Sequence, residues 1–112
     1  MSTEPDVEAV AEQVFVALAD STRRSILAAL ATDGPSTATD LAARLPITRQ
    51  AVAKHLAVMA DAGLVTSELG ERRRVRYRLR SVPVLVAQQY LAALAHAWDD
   101  RLDALRDYLT EP

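Results

Sequence analysis

The chain has 112 residues, half of them hydrophobic and a quarter charged, which is the composition of an ordinary folded domain and excludes a disordered or membrane-embedded protein. It contains no cysteine, so disulfides, thiolate metal sites and thiol nucleophiles are excluded. The acidic start of the chain predicts a cytoplasmic protein without a secretory signal or membrane contact. We expect residues 1–112 to form one domain, small enough to need a partner subunit over part of its apolar surface.

Charge is unevenly distributed along the chain. The net charge is −2, but residues 41–80 contain nine basic and three acidic residues and carry +6, which leaves −8 for the remainder. Because phosphates attract cations locally, a basic segment in an acidic chain is typical of a DNA-binding protein. The alternative interpretation of this segment is a solvated charged face.

The first third of the chain predicts two amphipathic helices. The first helix covers residues 6–19, where apolar residues recur with helical spacing. A second helix begins with Asp20 or Ser21 as its cap, because short polar side chains accept hydrogen bonds from the first free backbone N–H groups. Gly34 and Pro35 end it.

Residues 36–62 predict a helix-turn-helix. Ser36 or Thr37 begins a short third helix, and Thr37 and Asp40 have the spacing of a capping box. Thr48 caps a fourth helix that runs to about residue 62. The apolar stripe of this helix consists of Val52, Leu56 and Met59. Two short helices joined by a tight turn are the sequence outline of a DNA-binding helix-turn-helix.

The last third of the chain changes from helical to two-residue periodicity and back. Residues 64–80 predict a β-hairpin, with Gly70 supplying the turn. Residues 82–109 predict a long helix with apolar residues every 3.6 positions on average, which indicates a straight amphipathic helix rather than a coiled coil. The fold class is therefore mainly α, with four helices, a hairpin wing and a fifth helix.

The fourth helix is the predicted DNA-reading element. With its apolar stripe turned inward, the outward residues are small or basic. Arg49 can donate two hydrogen bonds to guanine and Gln50 can pair with adenine, so both suit base edges in the major groove. Lys54 and Thr48 suit phosphates. The predicted DNA-binding residues on this helix are Thr48, Arg49, Gln50, Ala53, Lys54 and His55.

The hairpin adds a second set of cations. Alternation places four arginines of its second strand on one face, and the tip is suited to a phosphate backbone or a minor groove. The predicted DNA-binding residues here are Arg72, Arg73, Arg74 and Arg76. Arg78 and Arg80 are as well suited to pairing with acids of the body.

The two histidines are ambiguous. His55 lies at the border between buried and exposed faces, which favours packing or a hydrogen bond over a phosphate contact. His96 with Asp99, Asp100 and Asp103 has spacing compatible with a divalent ion, but one histidine and nearby carboxylates on a single helix do not supply four converging ligands. No metal and no cofactor are predicted. The chain shows no nucleophile-base arrangement and no glycine-rich phosphate loop, so an enzyme is not predicted.

Taken together, these segments resemble the ArsR-type family of bacterial winged helix-turn-helix regulators over about residues 12–100. The matching segments are Leu18 to Leu27, Asp40 to Ala42, Ala51 to Leu56, Ala62 to Val65, Gly70 and the hairpin arginines, and Tyr77 to Leu79. Two departures stand out. Ala53 occupies the position of a serine usual in the family, and the third helix lacks the Cys-x-Cys of thiolate sensors. The resemblance therefore implies a metal-independent branch.

The resemblance also implies a homodimer built from the first and last helices, and a repressor that controls its own promoter. The predicted dimer residues are Val10, Val14, Leu91, Leu94, Trp98, Leu102 and Leu105. We expect double-stranded DNA with an imperfect palindrome as the partner, while the sequence leaves a small-molecule effector undetermined. Two alternatives stay open: a winged-helix module that binds protein, and a metal-responsive repressor that uses His96 and carboxylates.

Overall fold

The computed structural model describes residues 6–110. Its elements in chain order are α1 (Val7–Leu18), α2 (Ser21–Asp33), β1 (Ser36–Thr37), α3 (Ala38–Arg44), α4 (Arg49–Asp61), β2 (Val65–Leu69), β3 (Val75–Leu79) and α5 (Ser81–Thr110). A single 3-10 turn at Glu71–Arg73 joins β2 to β3. The predicted fold class is confirmed, and β1 is an addition to it.

Local side-chain caps determine where α2, α3 and α4 begin. Asp20, rather than Ser21, caps α2 and accepts a hydrogen bond of 3.0 Å from the Arg23 N–H. Thr37, rather than Ser36, caps α3: its hydroxyl accepts a hydrogen bond from the Asp40 N–H, and the Asp40 carboxylate accepts one from the Thr37 N–H, which completes the predicted capping box. Thr48 caps α4 as predicted.

The sheet has three antiparallel strands in the order β1-β3-β2, so β3 is the central strand. The short strand β1 pairs Ser36 with Tyr77 and Thr37 with Arg76. Thr37 therefore caps α3 and belongs to the sheet at the same time. This double role connects the beginning of α3 directly to the hairpin.

The core lies where α1, α2, α3 and α4 meet the sheet and the beginning of α5. Its fully buried large side chains are Val14, Ile26, Leu41, Val52, Leu56, Met59 and Leu64. After α4, Gly63 takes a positive φ of 76°, and the Leu64 N–H donates to the Met59 carbonyl at 2.9 Å, which ends the helix.

The fifth helix is only partly covered by the rest of the chain. It begins two residues before Pro83, since the first turn of a helix tolerates proline, and Pro83 and Ala87 are buried. The rings of Phe15 and Tyr90 pack with centroids 6.1 Å apart. All residues of α5 from position 91 to 110 are exposed, and the described chain is 73 Å long in its longest dimension.

Two arginines at the start of α2 have a structural role that the sequence analysis did not assign. The Arg23 Nε donates to the Ala17 carbonyl at 2.8 Å and the Arg24 Nη1 donates to the Leu18 carbonyl at 2.6 Å. These bonds satisfy carbonyls that α1 leaves unpaired at its C-terminal end. Together with the Asp20 cap, they fix the α1–α2 corner.

Candidate nucleic-acid interface

The fourth helix presents one face to the core and the other to solvent, as predicted. Val52, Leu56 and Met59 are fully buried. The opposite face is exposed and consists of Thr48, Arg49, Gln50, Ala53, Lys54 and Ala57. His55 is half-buried between the two faces, and the Coulombic interaction with His55 contributes to lowering the pKa of Asp20, after the larger effect of the Arg23 N–H.

The hairpin formed by β2 and β3, which we call the wing, ends in an unusual turn. Arg72 and Arg73 have φ values of 58° and 61°, the left-handed region that glycine and asparagine favour. The Arg74 N–H donates to the Glu71 carbonyl at 3.2 Å and closes the turn. Two consecutive arginines therefore occupy the positions where Asn-Gly is the preferred pair.

The prediction that Gly70 supplies the turn conformation is wrong, because its φ is −96°. A Cβ at this position would lie 3.2 Å from the Arg76 Cδ and 3.3 Å from the Arg74 carbonyl oxygen. Gly70 is needed for close approach of the opposite strand and not for a positive φ. A glycine signal in the sequence could not distinguish these two reasons.

Helix α4 and the wing face each other across a groove of about 600 Å³, which we call the basic groove. It is lined by Thr37, Ala38, Thr39, Arg49, Gln50, Ala53, Arg73, Arg74, Val75 and Tyr77. Five of the predicted DNA-binding residues thus share one concave surface. Arg72 and Arg76 line a smaller depression at the wing tip together with Glu71 and Arg74.

Charge in this region is largely uncompensated. Within residues 6–110, no carboxylate lies within 4.0 Å of the charged nitrogens of Arg49, Lys54, Arg73 or Arg74. Arg78 instead pairs with Glu68 across the wing, Nη2 to Oε2 at 3.9 Å. The predicted alternative was a pair with an acid of the body, whereas Glu68 belongs to the wing itself. Unpaired cations around a groove favour an anionic ligand.

The carboxylate of Asp40 interacts electrostatically with Arg74 of the groove, but it already accepts the hydrogen bond of the α3 capping box. The Thr37 N–H lowers the pKa of Asp40, the Thr37 hydroxyl lowers it further, and the positive charges of Arg74 and Arg44 add to the effect. Asp40 therefore stays ionised while it caps α3. Arg44 itself forms an ion pair with Asp33 at the end of α2.

Several groove residues were not predicted from the sequence. Ala38 and Thr39 open α3 and turn toward the groove because β1 holds the start of that helix against β3. Val75 and Tyr77 belong to the apolar alternation of β3, which predicts core positions, yet Val75 is exposed. The length of the hairpin was the one sequence signal for this exposure, because strands that are longer than the body they pack on leave their far ends uncovered.

The predicted dimer residues divide into two groups. The side chains of α5 are exposed, with Trp98 at 59% and Leu102 at 40%, and Val10 on α1 is half-buried. Val14 is 0% exposed within the single chain, so its prediction as an interface residue is corrected. Its side chain packs in the protomer core and has no surface left for a partner.

The predicted alternative metal ligands do not converge within one chain. The His96 Nε2 lies 3.5 Å from the Asp100 Oδ2, and both side chains are mostly exposed. Among residues 6–110, no three histidine, aspartate or glutamate side chains lie close enough together to hold a metal ion. The same residues include no helix long and apolar enough to cross a membrane.

Known proteins resemble this chain in both sequence and fold. Residues 18–68 match the family model of a helix-turn-helix domain. The HTH-type transcriptional regulator YuzN of Bacillus subtilis is 47% identical over 61% of this chain and 76% of its own length. An ArsR-like transcriptional regulator from Rhodococcus sp. RHA1 is 38% identical, with a TM-score of 0.80 over 90% of this chain and 93% of that one.

A metal sensor is also among the similar structures. The cadmium sensor CMTR of Mycobacterium tuberculosis is 41% identical, with a TM-score of 0.55 over 69% of this chain and 75% of that chain. The relatives are transcriptional regulators and not enzymes. Their shared helix-turn-helix places the basic groove in the part of the fold that such regulators use for DNA.

Proposed function

We propose that this chain, which belongs to the ArsR-like family of winged helix-turn-helix transcriptional regulators, is a homodimeric repressor that binds an imperfect palindrome in its own promoter without sensing a metal. The observation that carries the proposal is the basic groove, in which the first turn of α4 and the wing arginines form one cationic surface. A duplex offers phosphates and base edges together, so it matches both parts of this surface.

In the proposed complex, α4 lies in the major groove of DNA. Arg49 and Gln50 are in its first turn, exposed, and free to donate paired hydrogen bonds to guanine or adenine. Ala53, one turn later, allows the helix backbone to approach the base edges closely. Lys54 and the Thr48 hydroxyl contact phosphates on either side.

The wing contributes affinity rather than base preference. Arg73 and Arg74 line the groove that faces α4, while Arg72 and Arg76 line the smaller depression at the tip. Each phosphate that these side chains neutralise releases condensed counterions, which makes binding dependent on salt. We therefore assign the wing arginines to the DNA backbone and its adjoining minor groove.

The uncovered side of α5 supports the proposed dimer. The apolar stripe of this helix consists of Leu91, Leu94, Trp98, Leu102, Leu105 and Leu109. An apolar surface of this length on a soluble protein marks an association site. A two-fold contact through α5 and the exposed part of Val10 would hold two α4 helices at a fixed spacing, as a palindrome requires.

The test is DNA binding to the region upstream of the chain's own gene, first by footprinting and then by fluorescence anisotropy on the protected site. Arg49→Ala and Gln50→Ala are each expected to cost about 1 to 3 kcal/mol of binding free energy and to relax base preference. Arg74→Ala is expected to weaken binding to all sequences equally and to reduce the salt slope by about 1.

The control is Arg106→Ala, which removes an exposed arginine far along α5 and is expected to leave binding unchanged. A wing variant that alters base preference, together with helix variants that do not, would reverse the roles of α4 and the wing. Absence of any protected site and of tight DNA binding would refute the proposed function as a whole.

A further inference from the structure

One apolar face of the wing continues past the point where the body covers it. Directly opposite residues of β2 and β3 share a face, and on this face they are Val65 with Leu79, Ser67 with Tyr77, and Leu69 with Val75. Val65 is buried in the core, and Leu79 and Tyr77 are half-buried against it. Leu69 and Val75, which we call the wing pair, are 72% and 44% exposed.

The surroundings of the wing pair are cationic. Val75 lines the basic groove together with Arg49 and Arg74, and Leu69 lies across the hairpin from it, next to the arginine turn. Single exposed apolar residues are common on proteins, but a cross-strand pair set among unpaired arginines fits a ligand with anionic and apolar parts side by side. Duplex DNA has this arrangement, because the C–H edges of deoxyribose lie next to each phosphate.

Dimensions decide which part of DNA the wing pair can reach. Two strand backbones are about 4.8 Å apart before side chains are added, whereas the minor groove is about 6 Å wide. The arginine side chains of the turn can enter such a groove. At Leu69 and Val75 the hairpin, with its side chains, is too wide to follow them. The wing pair must therefore stop at the groove edge, where the sugars are.

Resting on the proposed function, we infer that Leu69 and Val75 form a DNA contact of their own, which packs on the deoxyribose edges of the strand whose phosphates the wing arginines hold. The contact is apolar and displaces water without releasing counterions. It adds affinity that does not depend on salt and does not distinguish bases, since all four nucleotides carry the same sugar.

The experiment measures operator affinity against salt concentration for the variant Leu69→Thr with Val75→Thr. Threonine preserves the strand preference of the wing, so the hairpin is expected to stay folded. The dissociation constant is expected to rise about tenfold for every sequence, with the slope of log K against log salt unchanged. Arg73→Ala, in contrast, should reduce that slope by about 1.

Two further variants serve as controls. Val82→Thr removes an exposed valine at the start of α5, outside the groove, and should leave affinity unchanged. Leu69→Met with Val75→Ile keeps the pair apolar and should retain affinity, which separates loss of contact from loss of folding. Thermal unfolding of all variants should remain close to wild type because the pair is exposed in the free protein.

The outcomes are distinguishable. Wild-type affinity in the threonine variant, with weakened binding in Arg73→Ala, would overturn this inference and leave the proposed function intact. A changed salt slope, or a change in sedimentation that shows the pair is covered by a second copy of the chain, would also overturn it. Unchanged binding in both the wing pair and arginine variants would instead count against the proposed function.

Discussion

Helices α4 and α5 place their apolar side chains in opposite environments. In α4, the stripe of Val52, Leu56 and Met59 is fully buried, and the surface left to solvent is small and basic. In α5 beyond Tyr90, the apolar stripe is exposed, and the other side of the helix carries alanines and carboxylates. The apolar surface of α4 is therefore covered within the chain, whereas most of that of α5 is not.

The difference arises from position in the fold. Helix α4 lies between α2, α3 and the beginning of β2, so neighbours surround its apolar face. Helix α5 packs on α1 only over its first three turns, where Pro83, Ala87 and Tyr90 face the body. A helix of 30 residues is about 45 Å long, which exceeds the body available to cover it. Apolar periodicity thus identifies which face needs cover but not which element provides it.

The largest effect is expected when the unsatisfied face of α5 is made charged. Trp98→Glu with Leu102→Glu would place two carboxylates in the proposed dimer contact, where burial of charge is costly. We expect monomers by analytical ultracentrifugation and a loss of operator affinity of about 100-fold or more, since one half-site reader remains. The fold of the body should be unaffected, because both residues are exposed in the single chain.

The matched control for this prediction is Trp98→Phe with Leu102→Met, which keeps the same positions apolar and should preserve the dimer. A wild-type protein that sediments as a monomer and still binds a palindrome tightly would contradict the proposed role of α5.

A second prediction concerns the wing tip, where two arginines suited to DNA binding occupy backbone conformations that reduce the stability of the fold. Replacing Arg72-Arg73 by Asn-Gly puts the favoured residues at two positive-φ positions and should stabilise the fold by about 1 kcal/mol. The same change removes two cations, so operator affinity should fall by about tenfold or more and the salt slope by about 2. The free energy of unfolding, measured by chemical denaturation, should therefore rise, while the operator affinity, measured by fluorescence anisotropy, should fall. A variant that is less stable than wild type would show that the arginines are held in the turn by contacts within the chain.

The features of this fold that could be predicted from the sequence are those whose determining interactions are local. The caps at Asp20, Thr37 and Thr48 each bond within three residues of themselves, so the helix starts were predictable. The exposed face of α4 was predictable for the same reason, because its buried stripe determines the other side.

The features that were missed depend on distant parts of the chain. Strand β1 has two residues and exists only because Ser36 and Thr37 pair with a strand some forty positions later. The placement of Val14 failed because α1 is amphipathic, but its apolar face is divided between the core and the surface, which periodicity alone cannot apportion. The basic groove could not be predicted either, because it forms only when the wing packs beside α3 and α4.

A smaller effect is expected from pH, and it should change the stability of the body rather than the proposed dimer contact. Backbone N–H groups of Arg23 and Thr37 lower the pKa of Asp20 and Asp40, respectively, below the ordinary value of 3.8. A depressed folded-state pKa contributes stability above the unfolded pKa, and this contribution is lost as pH falls through the folded value. Wild type should therefore lose this stabilisation below about pH 4.

The test compares wild type with Asp20→Asn plus Asp40→Asn by thermal unfolding at neutral pH and at about pH 2. Asparagine is also a good cap but has no charge to lose, so wild type should be the more stable protein only at neutral pH. An equal difference at both pH values would mean that the carboxylate charges do not contribute to these caps.

The smallest expected effect is that of metal ions on operator affinity. The reason is that the apolar stripe and His96 lie on different sides of α5. Zinc in proteins takes four ligands, usually thiolates, imidazoles or carboxylates, and this chain has no cysteine and only two histidines. His55 is half-buried on α4, and His96 lies two positions from Trp98, which places it on the other side of α5 from the apolar stripe. A dimer formed through that stripe would keep the two His96 side chains apart.

Operator affinity should therefore be the same in micromolar zinc and in a chelator, and His96→Ala should leave it unchanged. The pairing of the His96 Nε2 with the Asp100 Oδ2 at 3.5 Å supplies at most two ligands from one chain, and the neighbouring alanines offer no hydrogen bonds to orient them. Anisotropy titrations with and without zinc measure this directly. A tenfold or greater loss of affinity on adding zinc, abolished by His96→Ala, would demonstrate a metal site that bridges subunits, and would require the two α5 helices to meet through their polar faces rather than through Trp98.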